Sequence, residues 1–294
     1  MNVRATLLTA VAPIAWGTTY IVTTELLPPG HPLFASLARA LPAGLIAIAL
    51  ARQLPTGAWW WKALVLGVLN IGAFFPLLFI AAYRLPGGVA ATLGAAQPLI
   101  IAALAVLILR QAAPWRLVAW GVVGVLGVGL IVLRASALLD TIGLIAGLAG
   151  TASMALGVTL AKHWGKPPEV SAVGYAGWLL TAGGLFLLPI TVLAEGFPSS
   201  IDAPAVAGYA WLGIVGGLVA YTLWFSGIRS IPITSIAVLG LLSPLTAAAL
   251  GALLLGELFS PLQLIGFVLA LAAIVGGQMP SRTVHTRSQT AQVA

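Results

Sequence analysis

Apolar residues dominate the chain in ten long runs, which short polar or proline-rich connections separate. A run of about 18 or more apolar residues is long enough to cross the hydrocarbon core of a bilayer as a helix. The pattern therefore predicts ten transmembrane helices, here called segments 1 to 10. Their predicted bounds are 5–24, 32–51, 62–83, 86–109, 116–134, 141–161, 172–194, 205–226, 231–255 and 260–279.

The composition agrees with this pattern. Charged residues make up 6% of the chain and hydrophobic residues 61%, whereas a soluble domain carries about 25% charged residues. We therefore expect an all-α integral membrane protein whose partners are the lipid bilayer and a small-molecule substrate. The net charge of +7 does not indicate a nucleic-acid partner, because the basic residues are scattered between the segments. The first apolar run lacks a small-residue cleavage site, which predicts a retained helix.

The distribution of basic residues predicts the orientation. With a cytoplasmic N-terminus, ten basic residues fall on the inner side and only Arg84 and Arg134 on the outer side. Cytoplasmic loops of membrane proteins are enriched in Lys and Arg, so we expect both termini in the cytoplasm. The inner residues are Arg4, Arg52, Lys62, Arg110, Arg116, Lys162, Lys166, Arg229, Arg282 and Arg287.

The chain contains an internal repeat. The stretch from Pro86 to Leu109 recurs 146 residues later as Pro232 to Leu255, with eleven identities in 24 positions. Two copies of five helices each would enter the membrane in opposite directions, which is the inverted-repeat plan of many transporters. We expect one repeat over residues 1–138, a second over 139–280 and a disordered polar tail over 281–294.

Several of these features resemble the drug/metabolite transporter superfamily, and within it the ten-span branch with two EamA-type repeats. The residues that carry the resemblance are Trp16-Gly17, Arg39, Pro98, Pro244 and the run from Gly256 to Gly266. The first repeat departs from the pattern, with Arg110-Gln111 where the second has Gly256-Glu257. The resemblance implies export of small metabolites, commonly amino acids, without ATP hydrolysis. Length and aromatic content are similar to bacterial aromatic and neutral amino acid exporters, which implies a bacterial-type cytoplasmic (inner) membrane.

A proline lies near the middle of segments 4 and 9, and each is preceded by a polar residue. Proline removes a backbone donor and frees the carbonyl one turn earlier, here that of a glycine. Inverted-repeat transporters bind substrate beside broken helices near the midplane, although a kink for shape alone is the alternative. The residues are Gly94, Gln97 and Pro98 in segment 4 and Gly240, Ser243 and Pro244 in segment 9.

Aromatic residues recur on one face of several segments. Together they predict an aromatic-lined cavity for flat or apolar groups, or for cations. Packing within the bundle and anchoring at the interface are the alternatives. The residues are Trp16 and Tyr20, then Phe75, Phe79 and Tyr83, then Tyr175 and Trp178, then Tyr221 and Trp224.

Two further polar residues within segments are candidates for function. Asn70 lies deep in segment 3, where an amide either holds helices together or contacts substrate. Arg39 lies in segment 2, and an intramembrane charge is a candidate for function. It would hold a substrate carboxylate bidentately, or else extend to the interface, cap the carbonyls of a broken helix or pair with Glu25.

Other chemistries are poorly supported. The chain has no cysteine, no GxxxxGK[ST] element, and no histidine or acidic residue deep in a segment. We therefore expect no enzyme, cofactor or metal site, and transport either runs down a gradient or couples through a site not visible in the sequence. A quaternary-cation exporter and a non-transporting scaffold remain alternatives. The sequence does not decide the oligomeric state.

Overall fold

The computed structural model describes residues 3–85, 93–94, 96–111, 115–132, 140–255 and 260–278. Within these ranges every regular element is helical, as an all-α protein requires. Several predictions lie outside the described residues: the start of segment 4, Arg134, the repeat boundary at 138, the run from Gly256 to Phe259 and the tail over 281–294.

The helices follow the predicted segments closely. Segments 2 and 7 have the predicted bounds, and the other described ends agree or differ by up to four residues. In chain order the helices are Val3–Gly17, Thr19–Leu26, Pro32–Ala51, Trp59–Gly67, Phe74–Arg84, Gln97–Leu109, Trp115–Val132, Thr141–Trp164, Ala172–Ala194, Ala203–Gly213, Ala220–Ser230, Ile233–Leu239, Leu242–Leu255 and Pro261–Gln278.

Among the described residues, seven helical stretches are long and apolar enough to cross a membrane, in segments 1, 2, 3, 6, 7, 8 and 9. Shorter apolar helices occupy segments 4, 5 and 10, over Gln97–Leu109, Val118–Leu130 and Pro261–Gly276. Large apolar side chains cover much of the outer surface, for example Leu107 and Leu253. The structure therefore has the apolar exterior that a lipid environment accommodates.

Contacts between segments come in corresponding pairs. Segment 2 packs along segment 7, and segment 5 packs along segment 10. Segment 6 contacts segments 3 and 4, whereas segment 1 contacts segments 8 and 9. The contacts of segment 6 with segments 3 and 4 thus correspond to those of segment 1 with segments 8 and 9, because each segment corresponds to the one five places away in the chain.

Two π-helical stretches interrupt segments 3 and 8, over Val68–Gly72 and Ile214–Val219. They begin 146 residues apart, the same interval that relates Pro86 to Pro232. A π-helical turn disturbs the regular i→i−4 ladder and is frequent at functional sites. The equivalent carbonyls of Asn70 and Gly216 accept side-chain hydrogen bonds from other parts of the bundle.

Candidate functional site

A cavity of about 90 Å³ lies between segments 1, 2, 3, 4, 6 and 9. This volume is several times the roughly 10–15 Å³ that one water molecule needs. Its surface is mainly apolar, with a few polar groups. The lining residues are Trp16, Thr19, Tyr20, Arg39, Phe74, Leu78, Ala81, Gly94, Gln97, Gly147, Gly150, Thr151, Met154, Gly240, Ser243 and Pro244.

The cavity lies where three helices are interrupted. Segment 1 breaks at Thr18, between Val3–Gly17 and Thr19–Leu26, and segment 9 breaks at Gly240 and Leu241. In segment 4 the long helix begins at Gln97, after a turn at Ala96. The breaks in segments 4 and 9 face each other, because a Cβ added at Gly240 would lie 3.8 Å from Oε1 of Gln97.

One detail of the break in segment 9 differs from expectation. Pro244 has no N–H for the Gly240 carbonyl, which we expected to remain free. Instead the backbone N–H of Ser243 donates to that carbonyl at 3.1 Å. The turn tightens from four residues to three, so the proline interrupts the helix without leaving the Gly240 oxygen unpaired.

Arg39 is the charged group of the cavity, and its side chain is only 2% exposed. Nη2 donates to the Gly216 carbonyl at 3.1 Å, and Nη1 donates to the Thr19 hydroxyl at 3.4 Å. The guanidinium lies over the Phe75 ring, 4.4 Å from its centroid. Arg39 thus neither extends to the interface nor pairs with Glu25, and it caps a carbonyl of the π-helical turn.

Trp16 reaches the same carbonyl from segment 1. Its Nε1 donates to the Gly216 oxygen at 2.9 Å, and its ring packs against those of Tyr221 and Trp224 at 5.2 and 5.0 Å between centroids. The indole therefore links the cavity to the packed aromatic residues beside it.

Tyr20 also lines the cavity, but five other predicted aromatic residues do not. Edge-to-face and tilted ring contacts join them into one packed group, which aromatic quadrupoles favour. Packing against each other removes these rings from the cavity surface, so the aromatic part of the lining is smaller than the sequence suggested. The group comprises Phe75, Tyr175, Trp178, Tyr221, Trp224 and their neighbours Trp59 and Phe225.

Four further predicted site residues also lie away from the cavity. Phe79 is fully buried in the core, and Pro98 is buried with its ring towards Gly121. Tyr83 donates to the Pro28 carbonyl at 3.4 Å in the connection after segment 1. Asn70 is fully buried, with Nδ2 donating to the Leu66 carbonyl at 2.9 Å.

Eight residues that line the cavity were not predicted from the sequence to contact substrate. They are Thr19, Phe74, Leu78, Ala81, Gly147, Gly150, Thr151 and Met154. Gly147 allows the Leu93 side chain to approach closely. The Thr151 hydroxyl donates to the Gly147 carbonyl at 2.8 Å and lies 3.3 Å from the Leu93 carbonyl. Small and hydroxylated residues on segment 6 are thus the signal that would have found this part of the cavity.

Polar contacts join the end of segment 3 to the start of segment 6. Asp140 caps Thr141–Trp164 by accepting from the Gly143 N–H at 2.8 Å, and it forms a 3.2 Å ion pair with Arg84. The backbone N–H of Gly143, followed by the charge of Arg84, holds the pKa of the Asp140 carboxyl below its usual value. The exposed pair is screened by solvent, so the helix cap is its more robust component.

The chain is similar to known transporters along most of its length. The profile of the EamA-like transporter family matches residues 3–133 and 141–276. Protein PecM of Dickeya dadantii (strain 3937) is 45% identical over 264 residues, which cover 90% of this chain and 89% of PecM. A probable terminal-alkyne amino-acid exporter of Streptantibioticus cattleyicolor is 28% identical, over 82% of this chain and 79% of its own length.

A solved crystal structure shares the fold, with a TM-score of 0.78 and 20% identity over 95% of this chain and 97% of the other. The predicted inner-membrane location agrees with the bacterial origin of these relatives. Because the family profile covers most of the chain, the protein belongs to the EamA-like transporter family and is a multi-pass integral membrane transporter.

Proposed function

We propose that the protein is a secondary carrier that exports small metabolites, foremost amino acids with aromatic or neutral side chains. The cavity at the three helix interruptions carries this proposal. Backbone that leaves the regular helix at membrane depth is tolerated where it is buried in protein or lines a cavity. Here the interruptions place Gln97 and Ser243 on the cavity surface, where they would contact the substrate.

The name of one relative supports an amino acid as substrate. The Streptantibioticus protein is described as a probable amino-acid exporter, and it is similar to this chain over most of both lengths. An aromatic or apolar side chain would lie against Trp16, Tyr20, Phe74, Leu78 and Met154, which all line the cavity.

The proposal includes ten membrane spans, built as two inverted repeats over residues 1–138 and 139–280 with both termini cytoplasmic. The seven long helices and the three shorter apolar ones together supply ten segments. The two separate matches to the family profile, the corresponding segment contacts and the interval of 146 residues between the π-helical stretches support two copies of one unit. Five spans in each copy make the copies antiparallel.

The proposal includes alternating access, in which the packed aromatic group forms the inner barrier of the cavity. With the N-terminus inside, the packed aromatic group lies on the cytoplasmic side of the cavity and closes it. Segments 7 and 8 carry Tyr175, Trp178, Tyr221 and Trp224, so these segments would separate from segment 1 when the cavity opens inward. The predicted aromatic residues would serve as the inner barrier, and Trp16 would be shared between that barrier and the cavity.

A quaternary-cation exporter fits the cavity less well. Cationic substrates favour an acidic partner beside the aromatic rings, whereas the described lining contains one cation and no acid. A non-transporting scaffold would have no use for a cavity beside three interrupted helices. Members of the family are transporters, which agrees with the expectation of a non-enzyme.

The test is solute flux in proteoliposomes. We expect saturable flux of labelled phenylalanine, tryptophan, threonine or methionine, with and without an imposed pH gradient. The double variant Gln97→Ala and Ser243→Ala should lose most of this flux. The control Gln111→Ala and Ser230→Ala makes the same chemical change at exposed helix ends and should retain it. Absence of flux for all four amino acids, or equal flux in both double variants, would contradict the proposal.

A further inference from the structure

Arg39 is held rigidly at the cavity surface. Phe75 covers one face of the guanidinium, and the Gly216 carbonyl and the Thr19 hydroxyl each accept one hydrogen bond. Arg39 is only 2% exposed, and its Nε has no hydrogen-bond partner. A planar guanidinium fixed in this way still presents donors for an acceptor that the described residues do not supply.

No described acidic residue neutralises this charge. Glu25, Asp140, Glu169, Glu195 and Asp202 lie at helix ends or in connections, and the ion pair within the described chain joins Arg84 to Asp140. A buried charge without a partner is strongly unfavourable, and the planar fork of arginine matches a carboxylate in geometry. Both facts point to an anionic ligand.

We propose that Arg39 binds a carboxylate group of the substrate and that the carrier selects small organic carboxylates with an apolar or aromatic body. This inference rests on the proposed transport function and defines its substrate class. Carboxylate oxygens would accept from Nε and Nη2 after the guanidinium turns towards the cavity, because Nε is closed to solvent in this arrangement and Nη2 donates to the Gly216 carbonyl. That carbonyl retains its hydrogen bond from Trp16, which limits the cost of the exchange.

The substrate does not need an ammonium group. An ammonium ion in an apolar cavity is costly without an anionic partner, and the described lining holds no acidic residue. The carboxylate therefore determines binding, and the α-amino group contributes little. A 2-hydroxy acid should bind as well as the corresponding amino acid, whereas an amide that keeps the ammonium but lacks the carboxylate should not.

The deciding experiment uses the wild-type protein and three matched compounds. L-Phenylalanine, L-phenyllactate and L-phenylalaninamide share the same ring and differ at the polar end. Each is tested by thermal stabilisation of the purified protein and by competition with labelled phenylalanine in proteoliposomes. We expect phenyllactate within about threefold of phenylalanine, and the amide at least about tenfold weaker, as the loss of a charge-assisted hydrogen bond implies.

The outcomes separate the two proposals. Phenylalanine flux with equal competition by the amide overturns the carboxylate inference and leaves the carrier function intact. Phenyllactate that competes more than about tenfold worse than phenylalanine overturns the claim that the ammonium is dispensable. Absence of both binding and flux for the two acids overturns the proposed function, and the inference that rests on it.

Variants give a second readout. Arg39→Gln removes the charge and should weaken phenyllactate binding by at least about tenfold, and Arg39→Lys should restore only part of it because lysine lacks the bidentate fork. Arg116→Gln removes an exposed positive charge in segment 5, away from the cavity, and should leave binding unchanged. Equal binding by Arg39→Gln and Arg116→Gln would contradict the assignment of Arg39, even if the ligand series succeeds.

Discussion

Gly17 allows segment 1 to approach the interrupted helix of segment 9 beside the cavity. A Cβ added at Gly17 would lie 2.5 Å from Cβ of Thr246 and 2.6 Å from the Ser243 carbonyl oxygen. Ordinary van der Waals contact begins at 3.4 Å, so Gly17→Ala forces these segments apart by up to about 0.9 Å. The obstacle includes backbone, which cannot rotate away as a flexible side chain would.

Overpacking of this kind costs about 1–3 kcal/mol. For a chain of this size each kcal/mol corresponds to roughly 2–4 °C, so we expect the unfolding temperature to fall by roughly 5 °C. Gly213→Ala is the matched control, because a Cβ there would meet only the carbonyl oxygens of Ala38 and Arg39, both at 3.7 Å. That variant should be as stable as wild type or slightly more so, since alanine favours the helix.

The assay is thermal unfolding of both variants purified in the same detergent, together with phenylalanine flux after reconstitution. Gly17→Ala should be less stable and transport more slowly, because the shift displaces Thr19 and Tyr20 at the cavity. Identical unfolding temperatures for Gly17→Ala and Gly213→Ala would refute the close approach of segments 1 and 9.

Two further predictions concern the packed aromatic group and the start of segment 6. Trp224 is 1% exposed and packs against Trp16, so Trp224→Ala should destabilise the protein by about 3–5 kcal/mol and lower the yield of monodisperse protein. Trp60→Ala, at a side chain 60% exposed, should leave the yield unchanged. The pKa of Asp140 is lower in the folded protein, so its stabilising contribution is complete above the unfolded pKa of about 3.9 and is lost as pH falls through the folded value. The difference in unfolding temperature between wild type and Asp140→Ala should therefore be larger at pH 7 than at pH 3, and a constant difference would contradict the assignment.

The sequence alone determined the features that depend on local chemistry. Length and hydropathy of each run indicated membrane helices, because a helix in lipid must satisfy its own backbone hydrogen bonds. The bounds of segments 2 and 7 were predicted correctly since polar or proline-containing connections flank both. The helices are interrupted just before Pro98 and Pro244, where a missing backbone donor acts within a single turn.

Only the tertiary structure shows which residues line the cavity and which pack in the core. In a membrane helix both the lipid-facing and the protein-facing sides are apolar, so periodicity does not reveal which face is directed inward. Tyr221 and Trp224 were therefore predicted to line the cavity but pack in the core, whereas Gly147 and Thr151 carried no prediction of substrate contact and line the cavity. The environment of Arg39 required the fold as well, because its partners Thr19, Phe75 and Gly216 come from three other segments. Contacts between residues distant in sequence depend on how the helices pair, and small differences in packing determine that pairing.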